Sequence, residues 1–204
     1  MEKSWHKILH GYQDFRKKYA EGSTSLMQEL SDYGQKPEIM VVACSDSRVD
    51  PAILLQCDPG VLFTARNVAN LIPPFESDGH YHGTSAALEY GICYLGVKHL
   101  IILGHSQCGG IQAKLEKEAL HQDDFISHWT DIITIQDPKQ GVDHCAKDSL
   151  LTSYQNCMSF PWIKERVAQQ QLIVHLWFFN IRQGIIEVYD QQLKNFIELE
   201  SSTS

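Results

Sequence analysis

Three stretches of strand length in this chain are almost uninterruptedly apolar, and each gives way at once to a compact polar cluster. Glu38-Ile39-Met40-Val41-Val42-Ala43-Cys44 leads into Ser45-Asp46-Ser47-Arg48. Val61-Leu62-Phe63-Thr64-Ala65 leads into Arg66-Asn67-Val68-Ala69-Asn70. Leu100-Ile101-Ile102-Leu103, stopped by Gly104, leads into His105-Ser106-Gln107-Cys108-Gly109-Gly110. A strand that is apolar throughout, and not merely at alternate positions, is buried on both faces, which happens in parallel sheets covered by helices. Between the second and third runs, Thr84 to Leu95 carries Ala86, Ala87, Leu88, Tyr90, Gly91 and Leu95, a pattern that predicts a tightly packed helix. The resulting order of strands and helices predicts an α/β fold with a mainly parallel central sheet flanked by helices.

The remainder of the chain elaborates that plan. Trp5, Ile8, Leu9, Tyr12, Phe15 and Tyr19 fall at helical spacing, so residues 1–34 read as an N-terminal helical arm whose apolar side should cover its own core. Crossing onto a neighbouring subunit is the other option that the pattern leaves open. Residues 111–168 are expected to be mostly helical, with a loop at Gln136 to Gly141 and a fresh helix opened by Phe160-Pro161-Trp162. Leu172 to Phe179 is a late strand, and Gly184 turns it toward Ile185 to Tyr189 as an antiparallel edge pair. One domain over residues 1–200 and a disordered tail at 201–204 are expected; 204 residues suffice for a single core without disulfides.

Composition removes several classes of function. A formal charge of −8, with no run of Lys or Arg, offers no attraction to phosphate backbones, so nucleic acid is not an expected partner. No apolar stretch approaches the ~20 residues needed to span a bilayer. The opening Met1 to Lys7 lacks the apolar core of a secretion signal, and a cytoplasmic setting is expected. Six cysteines in such a chain are free thiols or metal ligands before they are a disulfide framework. Cys57, Cys93, Cys145 and Cys157 have no partner at metal-ligand spacing and read as packing residues.

In open α/β sheets ligands bind at the carboxyl ends of the strands, so the three polar clusters can converge although Cys44 lies far from His105 in sequence. Cys44, His105 and Cys108 are soft to borderline donors that suit zinc, and three protein ligands leave a fourth tetrahedral position open. Taken singly, each part has an ordinary explanation: a cysteine closing a buried strand is usually a small hydrophobe, and Asp46 with Arg48 can be a plain ion pair. Their coincidence on one sheet edge favours a site.

The three blocks, Cys44-Ser45-Asp46-Ser47-Arg48, Arg66-Asn67-Val68-Ala69-Asn70 and Gly104-His105-Ser106-Gln107-Cys108-Gly109-Gly110, resemble the signature blocks of β-class carbonic anhydrases. The likeness is dense over roughly residues 35–112 and weaker through Phe160-Pro161 and Leu176-Trp177-Phe178-Phe179-Asn180-Ile181. It implies reversible hydration of carbon dioxide to bicarbonate and a proton by metal-bound hydroxide, with one Zn2+ per chain on Cys44, His105 and Cys108. It further implies that Asp46 is either a fourth ligand in a closed form or paired with Arg48 in an open, working one. Gln35, Phe63, Val68, Tyr90 and the backbone N–H of Gly109 would bind the small-molecule substrate. A homodimer, or an oligomer built of dimers, is implied, with part of each pocket supplied by the adjacent subunit. Arg66 reads as structural or interfacial, and His80 and His82 as possible proton carriers. Some bacterial members close their site when bicarbonate binds beside a Trp three residues before the first zinc-binding Cys; here that position is Val41. The alternatives are a zinc hydrolase of carbon disulfide or carbonyl sulfide on the same scaffold, or a non-enzymatic zinc protein with Asp46 permanently on the metal.

Overall fold

The structure is a computed structural model that describes residues 2–78, 80–116 and 124–199; the tail expected at 201–204 lies outside them. Six strands form one sheet: β1 (Ile39–Cys44), β2 (Leu62–Asn67), β3 (His99–His105), β4 (Ile173–Asn180), β5 (Ile185–Asp190) and β6 (Asn195–Glu198), in the order β2-β1-β3-β4-β5-β6. The first four neighbours in that order are parallel, and β5 and β6 run antiparallel to the strand beside them. Met40, Val41, Val42, Leu100, Ile102 and Leu103 are fully buried between the helical layers, the burial that their unbroken apolar runs call for. Each such side chain contributes about 1.5–3 kcal/mol when taken from water.

Register brings the chemistry to one edge. Cys44 pairs with Asn67 at the end of β2, and His105 pairs with Phe179 near the end of β4. Two strands reach farther than the sequence pattern indicates. β2 continues through Arg66 to Asn67, since a strand on the sheet's edge tolerates polar residues that a central one does not. β3 continues through Gly104 to His105, because this glycine is a packing residue and not a stop: a Cβ there would meet Leu150 Cδ1 at 3.1 Å.

Helices complete the layers: α1 (Glu2–Tyr19), α2 (Leu26–Tyr33), α3 (Pro51–Leu54), α4 (Gly83–Glu89), α5 (Gly109–Leu115), α6 (Phe125–Thr130), α7 (Val142–Cys157) and α8 (Pro161–Ala168). The helix expected over Thr84 to Leu95 is α4 followed by a wider turn at Tyr90–Tyr94, where Leu95 N–H donates to Tyr90 O at 2.9 Å. Gly91 sits in that turn because a Cβ would lie 2.7 Å from Met40 Sδ. α7 turns Cys145, Ala146, Ser149, Leu150, Ser153 and Cys157 toward the core at helical spacing. Cys145 and Cys157 are thus packing residues, whereas Cys57 and Cys93 are only half-buried.

The reading that α1 covers its own core is overturned. Trp5, Ile8 and Tyr12 keep 61%, 60% and 60% of their surface exposed, so the apolar side of α1 faces away from this chain's core. β6 goes beyond the expected edge pair: only Phe196 and Ile197 are apolar in its four residues, too little pattern to register as a strand. Among the described residues no helix is long and apolar enough to cross a membrane.

Candidate metal centre

Cys44 is the last residue of β1, His105 the last of β3, and Cys108 caps the start of α5. Their ligating atoms all lie within 4.8 Å of one another, and all three residues are buried. The two Sγ atoms are 4.0 Å apart. With metal–sulfur bonds of ~2.3 Å, a tetrahedral centre places its sulfurs about 3.8 Å apart, so the pair has the span of two ligands rather than of a disulfide. His105 donates Nδ1–H to the Ser106 carbonyl at 2.9 Å, which leaves the Nε2 lone pair for the cluster. That Nε2 is fully buried and has no hydrogen-bond partner among the described residues. A buried orphan nitrogen beside two buried sulfurs is a costly arrangement that a divalent cation resolves.

The protonation preferences agree. A hydrogen bond from Cys108 pulls the Cys44 thiol well below its ordinary value, against burial, with His105 and the Ala69 amide adding to the effect. Cys44 in turn pushes Cys108 up, as burial does, so the metal-free pair favours a single shared negative charge. Burial lowers the basicity of His105, yet Cys44, the Ser106 carbonyl and Asp46 together raise it above the ordinary value. These groups make a spot that attracts a cation. Two thiolates and a neutral imidazole fit zinc in hardness and number, with one tetrahedral position left over.

Asp46 lies beside the cluster, its Oδ2 3.9 Å from His105 Nε2. Arg48 grips it with Nε–H to Oδ1 at 3.0 Å, Nη2–H to Oδ2 at 2.7 Å and backbone N–H to Oδ1 at 2.9 Å. Those bonds, Arg48's first, hold the Asp46 carboxyl well below the usual carboxylate range. Arg66 secures the backbone beneath: it donates to Cys44 O at 2.9 Å, to Asp46 O at 2.7 Å and to Asp50 Oδ2 at 2.7 Å. Asp50 meanwhile caps α3 through its other oxygen.

The second block shapes the wall. Ala69 and Asn70 both have positive φ, 63° and 48°, a strained turn that aims the Ala69 amide at Cys44 Sγ, 3.4 Å away. The Asn67 side chain closes the turn by accepting from Leu71 N–H and donating to Leu71 O. Trp129, on α6, donates Nε1–H to Val68 O at 2.7 Å. Nothing lies within 4 Å of a Cβ built on Gly109, so the first residue of α5 faces open space.

Not every expected pocket residue gathers here. Phe63 pairs with Met40, four residues along the strand from the Cys44–Asn67 level, or about 13 Å at ~3.3 Å per residue. It touches Tyr90, with ring centroids 5.8 Å apart. Gln35 precedes β1 and is exposed at the other end of that strand from Cys44. Of the two loop histidines, His82 is bonded to Asp78 Oδ1 at 2.7 Å. The sequence reading passed over Trp129 and the hold of Arg66 on the ligand backbone, and only contacts between segments distant in sequence reveal them.

An open α/β sheet that converges two cysteines and a histidine at its carboxyl edge, beside a guanidinium-held carboxylate, is the architecture of an enzyme with a site that could hold a metal ion. The carbonic anhydrase family model matches residues 39–186. A carbonic anhydrase of Synechocystis is 30% identical over 207 residues, covering 96% of this chain and 74% of that protein. A chloroplastic β-carbonic anhydrase of Arabidopsis thaliana is 38% identical over 168 residues, 75% of this chain and 54% of the plant protein. Among solved structures, the β-carbonic anhydrase CcaA superposes with a TM-score of 0.84 at 29% identity, covering 96% of this chain and all of that one. One of two tetrameric β-carbonic anhydrases of Sordaria macrospora gives 0.76 at 29% identity, covering 91% and 96%. The chain belongs to the carbonic anhydrase family, in its β class.

Proposed function

We propose that this chain hydrates carbon dioxide reversibly at a zinc ion held by Cys44, His105 and Cys108. The observation that carries the reading is the orphaned His105 Nε2 facing two sulfurs at ligand separation. Zinc in that position supplies the acidity that turns water into a nucleophile near neutral pH.

The chain's own groups then aim and contain the reaction. Asp46, kept ionised by Arg48, offers an acceptor oxygen that fixes the direction of a water O–H in the pocket. Arg48 also holds the carboxylate beside the ligand cluster, with Oδ2 3.9 Å from His105 Nε2, the pairing proposed for the open form. The Gly109 amide opens α5 over free space and can donate to a substrate oxygen, and Val68 gives the wall an apolar side suited to a neutral gas. Gln35, Phe63 and Tyr90, remote from their own Cys44, serve the pocket of a second copy, which the exposed side of α1 embraces. The relatives from Sordaria are tetrameric, in keeping with such an assembly. His80 and His82 are proposed to carry the released proton outward.

Metal analysis of the purified protein beside stopped-flow hydration of carbon dioxide tests the whole reading. One zinc per chain is expected, and it is lost in Cys44→Ala, His105→Ala and Cys108→Ala. Full metal content in any of the three removes that residue from the ligand set, and an inactive zinc-loaded protein overturns the function.

A further inference from the structure

We propose that Asp143 is a positioning residue for the Asp46–Arg48 pair, acting through the backbone of Gln107. The inference rests on the reading of that pair as the working groups beside the metal.

Gln107 lies between the ligands His105 and Cys108, and its φ of 54° puts a residue with a side chain in the left-handed region. Such a backbone persists only where its surroundings hold it. Its neighbour Ser106 is fixed from β4: the Ser106 N–H donates to Phe179 O at 2.9 Å, and Ser106 Oγ accepts from Ile181 N–H at 2.9 Å. Gln107 is held differently. Its N–H donates to Asp143 Oδ1 at 2.6 Å, and its carbonyl accepts from Arg48 Nη2 at 3.1 Å. The same Nη2 donates to Asp46 Oδ2 at 2.7 Å. A chain of contacts therefore runs from Asp143 through the backbone of one residue, Gln107, with its N–H on one side and its carbonyl on the other, to Arg48 and on to Asp46.

Asp143 is well founded for this task. It stands in the first turn of α7, where a carboxylate is favoured by the helix dipole, and the helix buries Cys145, Ala146, Ser149 and Leu150 against the core. The acceptor is thus anchored to a rigid element rather than to a loop. Without it the Gln107 N–H loses a charge-assisted bond, the left-handed residue relaxes, and its carbonyl leaves Arg48, whose guanidinium is then held by Asp46 alone. The ligands themselves keep their places, because β1, β3 and α5 position them. Among the described residues the bonds to Asp143 and Arg48 are made by Gln107 backbone atoms, so the effect belongs to the backbone.

The test compares Asp143→Ala with Asp143→Asn, which keeps an acceptor oxygen. In zinc-loaded protein, Asp143→Ala should keep its metal and lose kcat on the order of tenfold, the factor of one charge-assisted hydrogen bond, with KM for carbon dioxide little changed. Asp143→Asn should recover most of that loss. Independently of activity, amide hydrogen exchange by NMR should show the Gln107 N–H protected in wild type and in Asp143→Asn but exchanging freely in Asp143→Ala. Wild-type kcat in Asp143→Ala, equal impairment of both variants, or a Gln107 amide still protected in Asp143→Ala would each overturn the assignment. If the wild-type protein were itself inactive, the functional reading would fail, while the exchange measurement would still decide whether Asp143 holds the peptide.

Discussion

Replacing Asp46 and Arg48 singly and together probes the centre most directly. Arg48 supplies two side-chain bonds and one backbone bond to the carboxylate, and the side chains are 16% exposed for Asp46 and 45% for Arg48. A sheltered charge-assisted bond contributes roughly 1.5–3 kcal/mol, and an exposed ion pair about 0–1. A bidentate pair with one partner sheltered and the other half-exposed falls between these, so a coupling of about 1.5 kcal/mol is expected, or about tenfold in rate. Asp46→Asn keeps the shape and removes the charge, while Arg48→Ala frees the carboxylate to turn toward the cluster 3.9 Å away. Each should slow hydration by about tenfold, and the double variant should be little worse than the poorer single one. Stopped-flow rates on variants of verified zinc content supply the cycle. Losses that add to within ~0.5 kcal/mol would show that the two side chains work separately. Since the folded-state pKa of Asp46 is depressed, its stabilising contribution is complete above the ordinary carboxylate range and disappears only as pH falls through the lowered value. Neutral-range changes in activity must therefore come from other groups.

Gly110→Ala places a Cβ 2.6 Å from Val68 Cγ1 and 2.9 Å from the Ala69 Cβ, so thermal unfolding should reveal a loss of about 1–3 kcal/mol; an unshifted melting curve would mean that the second block yields freely. His175 is lowered by burial and by the nearby His99, so below its unfolded pKa the unfolded chain binds a proton that the folded one refuses. Stability should fall as pH drops from about 7 through 6, and His175→Gln should flatten that slope in urea titrations; parallel slopes for the two proteins would refute it. Val41 is wholly buried within β1, its side chain has neither ring nor N–H to offer an anion, and Asp46 already rests on Arg48. Initial rates near pH 7 should accordingly fall with bicarbonate along a simple, non-cooperative curve, and sigmoidal inhibition would be the contrary result.

The parallel core and its active edge were legible because unbroken apolar runs have few other uses. That Cys44, His105 and Cys108 can converge follows from their places after the apolar runs, with donor chemistry and the family resemblance naming them as ligands, and their ligating atoms lie within 4.8 Å of one another. What stayed hidden depends on contacts across the chain. Asp143 gives no local signal, since a carboxylate in a first helical turn is common, and its bond to Gln107 spans 36 residues. Gly104 looked like a strand stop because its packing against Leu150 is a tertiary matter. Arg66 showed its charge but not its three acceptors. The side of α1 was misread for a different reason: amphipathic periodicity says that a face will be covered, not by which molecule.

That exposed face ties the protein's behaviour to dilution. On the proposed assembly, mass action governs both folding and chemistry: each tenfold rise in protomer concentration adds about 1.4 kcal/mol to the apparent stability of the dimer. In that proposed assembly Trp5, Ile8 and Tyr12, exposed in the single chain, would return to water when copies separate, and Gln35, Phe63 and Tyr90 would leave the pocket that they are proposed to complete. Specific activity measured at ever lower enzyme concentration would then decline even though every metal ligand remains bound in its own chain.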